Sequence, residues 1–245
     1  MLKKLVFLLV IAAALWQAAV AQGQDSDIVW TKWTHNIARL QFSNDDSKIL
    51  TVGSGGIIIF DTQTGEQIKQ LPGKGTYNED GTMIIALREM FVDVYNAETY
   101  QLIKSIPLAI SGVYTVLLSP DGNLLIASGL KFVQFIDFHT GNIIHSMNKF
   151  GDEKRDVEIT ADLITKDSKY YIIALWDPVK GSYGSMMFIN TSTYQMDYKY
   201  NKRVGSGLTI SNDGQFVAFN SIDEPNIAVT IMNTQTKEIV GHIPG

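Results

Sequence analysis

Five times along this chain an apolar strand runs into a turn opened by Asp or Asn and leaves it as a second apolar strand. The copies read IIIFDTQTGEQIKQL from Ile57, VDVYNAETYQLIKSI from Val92, FVQFIDFHTGNIIHSM from Phe132, MMFINTSTYQMDYKY from Met186 and VTIMNTQTKEIVGHI from Val229. The turns open on Asp61, Asn96, Asp137, Asn190 and Asn233, and a threonine stands three residues later each time, at Thr64, Thr99, Thr140, Thr193 and Thr236. A carboxylate or amide in that place accepts a hydrogen bond from the backbone two residues on and closes an Asx turn. Gly65 and Gly141 supply the positive φ that such a turn needs. Tyr100, Tyr194 and Lys237 hold that place in the other copies, so those hairpins must use another turn or accept strain. Residues spaced this widely are turn chemistry, not a catalytic cluster.

A second landmark precedes the first in every copy. It is an acidic turn at Asn44-Asp45-Asp46, Glu79-Asp80-Gly81, Pro120-Asp121-Gly122, Lys166-Asp167-Ser168 and Asn212-Asp213-Gly214. From its Asp to the opening of the following turn is 16 residues in the first three copies, then 23 and 20. Thr64 and Thr236 lie 172 residues apart over four steps, a mean period of 43. A four-stranded propeller blade repeats at about 40–45 residues. The apolar runs are short, β-branched and bounded by turn residues, and no helical period competes. The first module divides into strands at Ala38–Ser43, Lys48–Gly53, Ile57–Phe60 and Gln67–Leu71. The expectation is an all-β chain, a β-propeller of four-stranded blades at about 36–73, 74–109, 110–150, 151–203 and 204–245.

Val116-Leu117-Leu118-Ser119-Pro120-Asp121-Gly122, followed by LLIASG and FVQFIDFHTG, resembles a WD40 blade. GIIIFDTQTGEQIKQLPG and VTIMNTQTKEIVGHIPG also resemble the YVTN-type repeats of secreted propellers. The resemblance covers residues 36–245 and bears on fold more than on function. Phe60, Tyr95, Ile136, Ile189 and Met232 replace the signature Trp, and most modules lack the opening Gly-His. Blades of this kind are therefore expected to rest on apolar packing against their neighbours rather than on an Asp-His-Ser-Trp network.

Residues 1–21 are of another character. Lys3 and Lys4 precede an apolar run from Leu5 to Leu15, and Ala19-Val20-Ala21 matches a small-x-small cleavage site. This is the layout of a secretory signal peptide cut after Ala21, and the run is short for a spanning helix. A secreted or periplasmic protein is expected. Its removal takes two lysines and no acids, leaving 18 basic against 25 acidic residues, which argues against nucleic acid as partner. With no cysteine there are no disulfides, thiolate metal sites or lipid-anchored cysteine. Residues 22–35 read as a polar leader with a spare strand at Ile28–Trp33. Five modules ending at Pro244-Gly245, where module one has Pro72-Gly73, favour an open arc over a closed ring. Uncovered end blades would favour self-association. A front part of a longer propeller is the alternative.

Added length is not spread evenly. Module four lengthens its link between second and third strands across Trp176–Gly184, and module five does so at Ile222–Asn226. The link from module three to four, Asn148–Asp156, is long and charged. All three fall at one end of the blades, and loops on a rigid scaffold are where binding residues gather. Trp176, Lys180, Tyr183, Lys154 and Arg155 are the candidate recognition residues, for another protein or an extracellular ligand. No metal or cofactor is expected: the four histidines lack ligand spacing, Gly53-Ser54-Gly55-Gly56 opens no helix, and the G-x-S-x-G and H-E-x-x-H motifs are missing. Asn190-Thr191-Ser192 fits a glycosylation sequon, but Asn190 already serves a turn. A propeller-type glycoside hydrolase needs paired carboxylates on its first strands. ARLQFS, VYTVLLS and GLTIS carry none, which leaves only Glu158 and Asp162. The expectation is a binding scaffold without catalysis of its own.

Overall fold

The computed structural model describes residues 36–150, 157–224 and 226–245. The expected signal peptide, the leader with its strand at Ile28–Trp33, and Lys154 and Arg155 lie outside the described residues. Every regular element described is a β-strand. Blade 1 comprises β1 (Ile37–Phe42), β2 (Lys48–Gly53), β3 (Gly56–Asp61) and β4 (Gln67–Leu71); blade 2 comprises β5 (Lys74–Tyr77), β6 (Met83–Arg88), β7 (Phe91–Asn96) and β8 (Leu102–Pro107). Blade 3 holds β9 (Val113–Leu118), β10 (Leu124–Gly129), β11 (Val133–Asp137) and β12 (Ile143–Met147); blade 4 holds β13 (Glu158–Ile164), β14 (Tyr170–Asp177), β15 (Ser182–Asn190) and β16 (Met196–Tyr200). Blade 5 is β17 (Val204–Ile210), β18 (Phe216–Ser221), β19 (Ile227–Asn233) and β20 (Ile239–Pro244). Each blade is a four-stranded sheet whose strands pair in chain order. The chain packs as two units, one ending at Ser105 and the other beginning at Ile106.

The inner strands of a blade are mostly apolar, most completely where both of their faces are covered. β2, β3 and β6 are buried at every position but their ends, and β10 throughout. The fourth strands β4, β12 and β20 are mostly exposed. Within the first unit, Leu50, Val52, Ile57, Ile59 and Leu71 of blade 1 meet Tyr77, Ile84, Ala86, Tyr95 and Ala97 of blade 2. In the second unit the period-2 alternation of β14 is divided between two neighbours. Tyr171, Ile173 and Leu175 pack with Ile126, Val133 and Phe135 of blade 3. Tyr170, Ile172 and Ala174 pack with Val204, Val217 and Phe219 of blade 5. Burying each large apolar side chain contributes about 1.5–3 kcal/mol.

The Asx turns form in all five copies. The side-chain oxygen of Asp61, Asn96, Asp137, Asn190 and Asn233 accepts from the N–H of the threonine three residues on, at 2.7 to 3.2 Å. That threonine's hydroxyl accepts in turn from the N–H two residues further, at 3.2 to 3.4 Å. Tyr100, Tyr194 and Lys237 do not adopt another turn. Their φ values of 58°, 58° and 65° match the 70° and 76° of Gly65 and Gly141, and all five residues donate N–H to the carbonyl of the Asp or Asn four places back. These three copies accept the strain of a left-handed backbone, and their side chains show what offsets it. Tyr100 packs on the core of the preceding blade 1. Tyr194 reaches Phe135 and His145 of blade 3, each at 4.9 Å between ring centroids. The Lys237 ammonium stands 3.8 Å and 4.0 Å from the ring centroids of Tyr170 and Phe188 of blade 4.

The acidic turns are built on a residue two places before their Asp. Ser43, Asn78, Ser119, Thr165 and Ser211 each accept from the N–H five residues on, at 2.8 to 3.0 Å. The four hydroxyls also donate to their Asp at 2.5 to 2.6 Å. The two turn families of a blade lie side by side and are tied: Thr62, Ala97, Phe138, Thr191 and Thr234 donate N–H to carbonyls of Ser47, Thr82, Asn123, Lys169 and Gln215, at 2.8 to 3.0 Å. One end of every blade is thus closed by local hydrogen bonds. In an up-and-down sheet the links between second and third strands fall at the other end.

Candidate functional site

At that other end blade 4 differs from its siblings. The stretch Trp176–Gly184 is not a long loop, as its sequence suggests, but mostly strand: β14 runs on to Asp177 and β15 starts at Ser182. Asp177 makes the tip by accepting the N–H groups of Val179 and Lys180, both at 3.1 Å, and Gly181 takes φ 59°. Val179, at the tip, is 81% exposed. Below it the pairing slips by one residue, since Ala174 faces Met186 but Trp176 faces Tyr183. Such a bulge re-aims side chains next to it. Gly184 sits in the bulge, where a Cβ would come within 3.1 Å of the Leu175 carbonyl oxygen.

The extended hairpin and β16, with Phe150, Val157, Asn201 and Arg203, line a cleft of about 220 Å³. Phe150, Val157 and Leu175 give it an apolar floor; Lys180, Tyr183, Lys199 and Arg203 are among its polar lining. Trp176 does not line it but packs edge-on against Tyr183, ring centroids 5.0 Å apart at 82°. Arg203 is held by Asp223, through Nε at 2.5 Å and the backbone N–H at 2.7 Å, and these contacts keep the Asp223 carboxyl below its usual range. Lys202 pairs likewise with Glu224 at 2.5 Å, so the lengthened link of blade 5 is pinned to the link that enters it. Among the described residues no carboxylate engages the ammonium of Lys180 or Lys199.

No family model and no curated protein matches the chain. Solved structures do. The chain is similar to the β-propeller domain of Cps50 (Swd1) from Myceliophteria thermophila, at 12% identity and a TM-score of 0.63 over 87% of this chain and 72% of that one. It is also similar to hydrazine synthase of Kuenenia stuttgartiensis, at 16% identity and a TM-score of 0.64 over 92% of this chain and 70% of that one. The chain is a five-bladed β-propeller. At these identities the likeness carries the fold alone.

Within the propeller, the cleft brings Lys180 and Tyr183 together as the loop pattern suggests and places Trp176 behind them. Lys199 and Arg203 were not foreseen: one lies in the regular strand β16 and the other in a short link. Glu158 and Asp162, the two acids left for a hydrolase, are both engaged. Glu158 lies 4.0 Å from Lys131, and Asp162 accepts from Ser128 at 2.7 Å and from Tyr171 at 2.8 Å. Burial, with the Asp162 charge beside it, pushes the Tyr171 phenol well above its ordinary value. Among the described residues no three His, Cys, Asp or Glu side chains gather as a metal site would require.

The interior also holds polar networks that no signature announces. Asp93, 1% exposed in β7, accepts from Arg88 at 2.7 Å and Ser105 at 2.6 Å. Burial raises its carboxyl, but these donors outweigh that and hold it below the usual carboxylate range. The same register of β19 carries Thr230, bonded to Ser221 and to His242 Nδ1.

Proposed function

We propose that this chain is a binding scaffold without catalysis of its own, exported to an extracytoplasmic compartment and akin to the YVTN-type secreted propellers. Its recognition surface is the end of blades 4 and 5 that carries the lengthened links. The observation that supports this most is the cleft under the blade-4 hairpin, where a bulge, an exposed tip and two lysines with no carboxylate partner among the described residues lie on one hairpin and its neighbouring strand. The opposite end is consumed by turn hydrogen bonds, which leaves it little freedom for recognition. The layout of residues 1–21 supports export.

The test is affinity capture from the extracytoplasmic fraction of the source organism, using the wild type beside Val179→Glu. Val179 is 81% exposed, so the substitution leaves the fold intact. A partner retained by the wild type and lost from the variant supports the reading. Capture of nothing, or of the same set by both, overturns it. A circular dichroism spectrum unchanged by the substitution keeps the comparison fair.

A further inference from the structure

We infer that the blade-4 cleft takes a small amphipathic carboxylate: an apolar body about the size of one ring, carrying one negative charge. The inference rests on the reading of this end as the recognition surface and names the chemistry recognised there. Three features converge on it.

The first is the lining. Phe150, 4% exposed, and Leu175, 2% exposed, form an apolar floor with Val157. Ligand sites pair such an apolar base with a few placed polar groups that set orientation. The second is charge. The chain carries a formal net charge of −5, yet among the described residues the lining of this cleft holds Lys180, Lys199 and Arg203 and a single acid, Asp177. Asp177 is buried and spends Oδ1 on the hairpin tip, and Arg203 is matched by Asp223. Lys180 and Lys199 remain as the cations with no carboxylate among the described residues. An anion held by either ammonium exchanges hydration for a charge-assisted hydrogen bond, which is stronger than a neutral one. The third is size. At about 220 Å³ the cleft falls under the range of roughly 300–1,000 Å³ typical of drug-sized pockets, so it suits one ring or a short branched chain rather than an oligomer. Tyr183, packed against Trp176, adds a phenol to the lining.

Isothermal titration with three probes separates the contributions: phenylacetate, phenylacetamide of the same shape without charge, and acetate with the charge alone. Phenylacetate is expected to bind at least tenfold more tightly than either of the others, and the Lys180→Gln/Lys199→Gln variant is expected to lose about tenfold of that affinity. Equal binding of phenylacetate and phenylacetamide overturns the inference, as does an unaffected double variant or no binding of any probe. The same double variant belongs in the capture experiment with Val179→Glu. A partner lost on Val179→Glu, with no probe bound by the wild type, leaves the recognition surface standing and removes only the carboxylate.

Discussion

Tyr194 lies flat on His145, ring centroids 4.9 Å apart and planes within 12° of parallel. The two belong to neighbouring blades. Tyr194 occupies a turn position whose backbone favours glycine, and it does so in order to reach across. Lys237 repeats the arrangement one blade later with a cation over two rings, and Tyr100 does so on blade 1, where Lys48 stands 5.8 Å from its ring centroid. Backbone strain in one blade is thus exchanged for contact with the blade before it.

This exchange has a measurable sign. A left-handed non-glycine residue costs about 1 kcal/mol, while an aromatic pair contributes about 0.5–1.5 kcal/mol beyond its buried area. Tyr194→Gly relieves the first and loses the second together with the burial. Its urea unfolding is expected to show a net loss of about 1–2 kcal/mol. A variant as stable as the wild type would mean that the stacked rings contribute nothing.

The residue two places before each acidic turn gives a second prediction. Ser119 Oγ accepts the Leu124 N–H at 2.9 Å and donates to Asp121 at 2.5 Å. Ser119→Ala strands the buried Leu124 N–H and takes one donor from the Asp121 carboxylate, which keeps those of Asn123, at about 1–3 kcal/mol. Thermal unfolding of Ser119→Ala and Ser211→Ala is expected to show similar falls, since Ser211 makes the same pair of bonds.

Acid stability follows from the same turns. N–H groups of Thr64 and Thr140 hold the Asp61 and Asp137 carboxyls below their ordinary value, and the Ser43 hydroxyl, with Ser47, lowers Asp45 to about 2. A carboxyl lowered in the folded state stabilises it above the unfolded value of 3.8, and that contribution vanishes as pH falls through the folded value. Asn96, Asn190 and Asn233 make the same turn with an amide that does not titrate. Asp61→Asn/Asp137→Asn should therefore unfold like the wild type at pH 7 and at a lower pH on acid titration. An unshifted acid midpoint would show that these turns do not govern it.

Lys237 has the opposite slope to a paired lysine. Burial, with the Lys169 charge adding, brings its ammonium down from 10.5 to about 8, against the pull of the two ring faces. The folded state then binds fewer protons than the unfolded chain between those values, so stability from this group rises with pH across that window. Urea midpoints at pH 7 and pH 9.5 should show that rise in the wild type and lack it in Lys237→Met. A fall in the wild type relative to the variant would mean that the rings outweigh burial.

How much of this was legible depended on where each residue finds its partners. Asp61 and Thr64 bond within their own turn, so their spacing announces the turn and, five times over, the blade. The partners of Tyr100, Tyr194 and Lys237 lie in another blade, and in isolation these residues look like imperfect glycines. The series Ser43, Asn78, Ser119, Thr165 and Ser211 was within reach, always two places before the acidic residue; its mixture of side chains hides one shared task, accepting the same N–H. Lys180 and Tyr183 stood out because their link is long. Lys199 shows no such sign, being an ordinary strand residue that only the fold of β15 and β16 brings to the cleft.

Because the Thr62, Ala97, Phe138, Thr191 and Thr234 amides fasten the two hairpin ends of their blades together, each sheet carries a repeated seam along the same margin. The blade-4 tip lies away from that seam: a foreign peptide or fluorescent tag spliced into residues 178–181 would forfeit Lys180 and Val179 yet leave the seam that keeps the blade in register.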